Sequence, residues 1–205
     1  MKRLLVATLN SGKIREFAHA LIPEGIEVVG LDSLGVLAPV EETGKTFEEN
    51  ARLKAEAYSQ HTNLPVLADD SGIEVDALGG DPGVQSARFG GPDLDDDGRN
   101  RLLVEELAEV SDPDLRTGRF RCVLALAHGG RTLATFEGVV EGRILDEPRG
   151  NNGFGYDPLF FHPPSGCTTA ELSPSAKQAI SHRGQAIAAL LVAIRGGDPR
   201  LDGLG

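Results

Sequence analysis

The 205-residue sequence has no tryptophan, only 5% aromatic residues, and two cysteines, Cys122 and Cys167. With so few rings, the core must be built mostly from Leu, Val, Ala and Ile. Two cysteines are too few for a disulfide scaffold, and no zinc spacing is present. Reduced, buried thiols in a cytoplasmic protein are the expectation. Long apolar runs are missing too. No segment reaches the roughly 18 apolar residues of a membrane span. The opening MKRLLVATLN has an apolar run of only about six residues, too short for a secretory signal. Basic residues are outnumbered: 20 Lys and Arg face 31 Asp and Glu, a net charge of −11. Such a chain is a poor partner for a nucleic-acid polymer, whose phosphates need a basic face. A small anion remains bindable where Lys, Arg, a helix N-terminus or a divalent metal cluster locally.

What is present is ordinary for a soluble globular protein: 40% hydrophobic and 25% charged residues. The length suits one large domain, taken as 1–205. The chain opens with a predicted strand at 3–9, a break at NSGK, a helix at 13–22 with an apolar stripe, and a strand at 26–31. That β–α–β start points to an α/β sheet. A loop is expected over 34–45. A helix follows over 46–62, where Thr46 and Glu49 have capping-box spacing. A third strand is expected at 65–70, a long surface loop at 79–98, and a helix at 98–110. Two strands, 119–128 and 132–144, meet at Gly129-Gly130 as a hairpin. A last helix is predicted over 175–195, with a frayed tail beyond it.

Five stretches carry candidate chemistry. LADDSGIEVDALGG (67–80) runs an apolar strand into two adjacent carboxylates, Asp69 and Asp70. Side by side and buried they would repel, unless a cation such as Mg²⁺ neutralised them at a ligand-binding sheet edge. Asp-Asp-Ser-Gly also suits a plain turn. TLNSGK (8–13), between strand and helix, could hold a phosphate with Lys13 as a point charge. It lacks P-loop spacing, and a plain helix cap explains it equally. GNNGFGYDPLF (150–160) could present Phe154 to a nucleobase and Asp157 to a ring N–H, or tuck Phe154 into the core. SPSAKQAISHRGQA (173–186) offers Lys177, Ser181, His182 and Arg183 as hydrogen-bond donors or as a solvated helix face. Lys177 and Ser181, four apart, would share one side of that helix. EETGKTFEEN (41–50) supplies Glu41, Glu42 and Asn50, and either glutamate could join Asp70 on a metal.

Taken in order, these blocks resemble the inosine triphosphate pyrophosphatase family, also called the dITP/XTP pyrophosphatases. The resemblance spans VATLNSGKIREF, EETGKTFEENARLKA, LADDSGIEVDALGGDPGVQSARF, FGYDPLFF and ELSPSAKQAISHRGQA. It implies an elongated mixed β-sheet flanked by helices, in two lobes with a central cleft. It implies a cytoplasmic homodimer that uses Mg²⁺ to hydrolyse ITP, dITP and XTP to the monophosphate and pyrophosphate. Position by position, it implies Thr8, Leu9, Asn10, Ser11, Gly12 and Lys13 at the phosphates. Asp70 becomes the catalytic acid and a metal ligand, with Glu42 the second metal carboxylate and Ser71 a substrate contact. Phe154, with Gly155, Tyr156 and Asp157, falls at the base, and Lys177 at the phosphates. His182 and Arg183 fall at the 6-oxo edge of the purine. Two rivals use the same residues: a nucleotide sensor without turnover, and an enzyme for altered pyrimidine triphosphates.

Overall fold

The computed structural model describes residues 2–35 and 38–204, the last three by backbone alone, so positions 36 and 37 of the expected 34–45 loop lie outside the described residues. Among the described residues seven strands form one open mixed sheet. They are β1 (Lys2–Val6), β2 (Ile26–Gly30), β3 (Val66–Val75), β4 (Thr117–His128), β5 (Arg131–Ile144), β6 (Phe160–His162) and β7 (Cys167–Thr168). Their order is β2-β1-β3-β4-β5-β6-β7. β1 runs parallel to β2 and β3, whereas β6 is antiparallel to β5 and β7. Among the described residues five α-helices accompany the sheet: α1 (Ser11–Leu21), α2 (Phe47–Ser59), α3 (Asp96–Glu106), α4 (Pro174–Ile180) and α5 (His182–Arg195).

The chain divides into two compact units, residues 1–70, 122–138 and 183–205 in the first, 71–121 and 139–182 in the second. The core of the first unit gathers Leu4, Val6, Phe17, Leu21, Leu67, Leu124, Leu126, Ile187 and Leu190. That of the second gathers Ile73, Val75, Leu103, Leu107, Phe120, Ile144, Leu159 and Phe160. The rings of Phe120 and Phe160 lie tilted with centroids 4.4 Å apart. Local signals explain the element starts. Asn10 Oδ1 accepts from the backbone N–H of Gly12 (2.8 Å) and Lys13 (3.1 Å), so α1 begins there. Thr46 and Glu49 form the expected reciprocal capping box on α2. Gly129 and Gly130, both at positive φ, make the two-residue turn between β4 and β5.

Four expectations need correction. β3 does not stop at Asp70 but continues to Val75, because Ile73 and Val75 keep the buried alternation going. Gly72 is no turn residue. A Cβ there would strike Ser86 Oγ and come within 2.5 Å of the Gly83 carbonyl oxygen, so it is a close-approach glycine inside a strand. The expected 79–98 loop contains a 3-10 turn, Gly83–Arg88, closed by buried Ser86, which donates to Gly83 O at 2.6 Å and accepts from Ile73 N–H at 2.9 Å. It also holds the start of α3, capped by Asp95 at Gly98 N–H. The predicted 175–195 helix is two helices. Ser181 between them has an extended backbone, φ −69° and ψ 156°, the geometry of a residue that precedes a helix. Lys177 and Ser181 therefore do not share one helix face.

Where a frayed tail was expected, the described residues carry regular structure as far as Leu204. A 3-10 segment, Pro199–Leu204, follows α5, and Leu201 is buried in the first unit's core. Truncating Leu201→Ala should cost about 2–4 kcal/mol of unfolding free energy. Urea denaturation of wild type and variant checks this; a change within about 0.5 kcal/mol would mean a surface residue.

Candidate active site

Side chains alternate along a strand, so Asp69 and Asp70 leave β3 on opposite faces. Both are buried, and each meets its own set of partners. The Asp69 carboxylate accepts from the Lys13 ammonium, from Arg183 Nε at 2.9 Å and from the Cys122 thiol at 3.1 Å. Arg183, 1% exposed, also donates through Nη1 to Glu16 Oε2 at 2.5 Å. Lys13 comes from the first turn of α1, Glu16 from the next turn, and Arg183 from the start of α5. One carboxylate thus ties three elements together.

The Asp70 side faces α2. Its carboxylate accepts from Lys54 Nζ at 2.8 Å and Asn50 Nδ2 at 3.3 Å. Asn50 and Lys54 are four apart on α2 and so project from one face. The same Lys54 ammonium donates to Glu42 Oε1 at 2.7 Å and to the Asp69 carbonyl oxygen at 2.7 Å. Asn50 Oδ1 accepts from Gly44 N–H at 2.7 Å, which fixes the segment that carries Glu42.

Electrostatics separate the two aspartates. Burial pushes the Asp70 carboxyl above its ordinary value, and the Lys54 charge only partly opposes it. Burial works on Asp69 too, but the charges of Arg183 and Lys13 outweigh it and hold that carboxyl well below its ordinary value. The Cys122 thiol is pushed well up, first by burial and then by the Asp69 charge. Burial would lower the pKa of Lys54, yet Asp70 and Glu42 overcome it and keep the ammonium charged.

The second unit holds the other candidates. Asp157, buried, accepts from Lys177 Nζ at 2.6 Å, from Phe154 N–H at 2.9 Å and from Thr169 Oγ1 at 2.8 Å. The Lys177 ammonium lies 4.8 Å from the centroid of the half-buried Phe154 ring, a cation–π contact. Gly155 N–H donates to Asp96, and Tyr156 is buried with its hydroxyl donating to Ser86 O at 2.8 Å. His182 stacks on Phe120 at 4.8 Å.

So within the first unit Lys13, Asp70, Glu42 and Arg183 gather around Asp69 and Lys54. Thr8 accepts from Asn10 N–H at 3.1 Å in the same turn, where Leu9 and Ser11 are exposed and Gly12 is buried. Within the second, Phe154, Asp157 and Lys177 form one cluster beside Gly155 and Tyr156. Ser71 opens the second unit's part of β3 and is half-buried. Of the two glutamates, Glu42 reaches Lys54 and Glu41 is exposed. Lys54, Glu16 and Thr169 went unnoticed in the sequence. For Lys54 the signal was its i,i+4 spacing from Asn50 on α2; for Glu16 it was its one-turn distance from Lys13.

Among the described residues no group of three or more His, Cys, Asp and Glu side chains could enclose a metal ion. Two carboxylates and one carbonyl oxygen nevertheless converge on a single cationic point, the Lys54 ammonium. Hard oxygen donors in that number suit Mg²⁺, which takes one or two carboxylates and leaves places for water and phosphate.

Replacing Asp69 by Asn should be strongly destabilising, by about 3–5 kcal/mol, because Lys13 and buried Arg183 lose their counter-charge. Chemical denaturation reads this directly, and a loss below about 1 kcal/mol would contradict the ion cluster. The thiols differ as well. Cys122 is fully buried and Cys167 half-buried, and neither is bridged. Ellman's reagent should react with Cys167 in the native protein and with Cys122 only after denaturation.

Comparison with known proteins completes the picture. The family model described as the Ham1 family matches residues 4–193. A dITP/XTP pyrophosphatase of Bacillus licheniformis is 50% identical over 187 residues, covering 91% of this chain and 95% of that protein. One of Deinococcus radiodurans is 51% identical over 193 residues, covering 94% and 93%. The solved structure of a HAM1 protein from Coxiella burnetii superposes with a TM-score of 0.86 at 41% identity, covering 96% of this chain and all of that one.

Proposed function

The chain belongs to the Ham1 family, and from that premise we propose that it is a nucleoside triphosphate pyrophosphatase. It hydrolyses ITP, dITP and XTP at the α–β phosphoanhydride, giving the nucleoside monophosphate and pyrophosphate. The names of its relatives, half identical over nearly the whole chain, support this activity. Residues 1–205 act as one catalytic domain.

The observation that carries the reading is the convergence of Glu42 and Asp70 on one cation, beside an Asp70 whose proton affinity is raised by burial. A carboxylate with raised affinity is a better acceptor of the proton from an attacking water. Glu42 and Asp70 would hold Mg²⁺, which when bound supplies positive charge to the phosphate oxygens. Lys13, at the start of α1, contributes a point charge beside the backbone N–H groups of that helix end, an arrangement that favours phosphate. Thr8, Asn10 and Ser11 shape the same turn.

We assign base recognition to Phe154, with Gly155, Tyr156 and Asp157, and to His182 and Arg183. A C6 carbonyl accepts from His182 and Arg183, whereas the amino group of adenine offers them a donor. A buried mismatch of that kind rejects an analogue by large factors. Arg183 is held for this by Asp69 and Glu16, so its guanidinium has a set orientation. Lys177 reaches phosphate from its place beside Asp157. Ser71 contacts substrate next to Asp70. The acidic chain favours free nucleotides over nucleic-acid polymers. No helix among the described residues is long and apolar enough to cross a membrane, and we place the protein in the cytoplasm as a homodimer.

The test is release of pyrophosphate from ITP, XTP, GTP and ATP with Mg²⁺ or EDTA. We expect metal-dependent release from ITP and XTP, little from ATP and GTP, and a loss of about 10²–10⁴-fold in Asp70→Asn. Release of orthophosphate would move the cleaved bond and overturn the reading. Binding of ITP without turnover would make the protein a sensor instead.

A further inference from the structure

A second concentration of positive charge lies wholly in the second unit, among residues the reaction does not use. β5 pairs with β6 so that Arg143 is opposite Phe161. The chain after β5 is pinned by Leu145 N–H to Leu159 O and by Arg149 N–H to Pro158 O, both at 2.9 Å. Ile144 N–H donates to Arg116 O at 2.8 Å. These bonds shape a pocket of about 340 Å³ whose lining includes Arg116, Arg143, Arg149, Asp146, Ile144 and Phe161.

The state of Arg116 sets this pocket apart. It is 7% exposed, and the one hydrogen bond of its guanidinium runs from Nη2 to Leu107 O at 3.1 Å. Its Nε is buried with no hydrogen-bond partner. No carboxylate among the described residues pairs with it. Arg149, exposed, has no ion-pair partner among the described residues either. Arg143 pairs with Asp114 at 2.5 Å, and Asp146 is the one acid in the lining. A buried cation without a counter-charge is costly, and here three guanidinium groups gather in a chain of net charge −11.

We propose that this pocket is a second ligand site, which takes a phosphate group, free or as the monoester of a small organic body. The guanidinium fork matches two phosphate oxygens at once. Ile144 and Phe161 provide apolar wall for whatever the phosphate carries. Binding supplies the counter-charge that Arg116 lacks. The site neither uses Asp70, Glu42 or Lys13 nor depends on the hydrolytic reading.

The experiment is calorimetric titration in EDTA with inorganic phosphate and with phenyl phosphate, alongside thermal melts with and without each. Wild type, Arg116→Met and Arg149→Ala are compared. Phosphate should raise the wild-type melting temperature. Arg149→Ala should bind about fivefold more weakly and hydrolyse ITP like wild type. Arg116→Met should bind roughly 30-fold more weakly and should melt higher than wild type without phosphate, since an unpaired buried charge has been removed. Tighter binding of phenyl phosphate than of phosphate identifies a monoester as the ligand; equal binding identifies free phosphate. Arginine variants that bind both probes as wild type does, or a wild type that neither probe stabilises, would overturn the proposal. Arg149→Ala, an exposed substitution, keeps the test decisive if Arg116→Met does not fold.

Discussion

A carboxylate removed from water needs positive charge beside it, and Asp69 has two such partners. Its oxygens meet Lys13 from α1 and Arg183 from α5, and Arg183 is tied in turn to Glu16. β3, α1 and α5 are therefore fixed by charge as well as by the apolar contacts of Leu67, Phe17 and Ile187. Apolar packing tolerates small shifts, whereas an ion pair without solvent loses much of its benefit when its geometry slips. The turn at residues 8–13 takes its position from this cluster, because Lys13 belongs to both.

The neighbouring aspartate shows how one step along a strand changes chemistry. Asp69 faces two cations and stays ionised; Asp70 faces one ammonium that it shares with Glu42 and holds its proton more readily. Two identical side chains, adjacent in sequence, are driven apart by what each face of β3 meets. Pairs of carboxylates pushed apart in this way divide structural and chemical duty between them. The ordinary pleat of a strand is the whole mechanism of that division.

Much of this was legible beforehand. The opening β–α–β, the capping box at Thr46 and the glycine hairpin depend on interactions between residues close in the chain, and such signals survive in a single sequence. The candidate residues of 8–13 and 41–50, with Asp69 and Asp70, also fell together in one unit. What escaped depends on distant contacts. The i,i+4 spacing puts Lys54 on the face of α2 that carries Asn50, but it does not announce that Glu42 and Asp70 will converge there. Nothing in the stretch around Leu201 says that a sheet will cover it. The break at Ser181 was hidden by an apolar pattern that suits one helix as well as two. The end placed on β3 was wrong because Asp, Ser and Gly in succession usually mean a turn, and only the approach of Ser86 explains why a glycine stands inside the strand.

Gly72 bears on how the site can be mapped. Alanine is the customary neutral replacement, but at this position its methyl group would press into Ser86 and the Gly83 carbonyl. The residue lies two places from Asp70. An alanine scan of the strand would therefore record a damaged enzyme at 72 and invite a chemical role for a residue with no side chain. The deficit would measure a displaced neighbouring loop rather than lost chemistry, and Ser86→Gly would relieve only part of it, because the Gly83 carbonyl oxygen would still lie 2.5 Å from the added methyl.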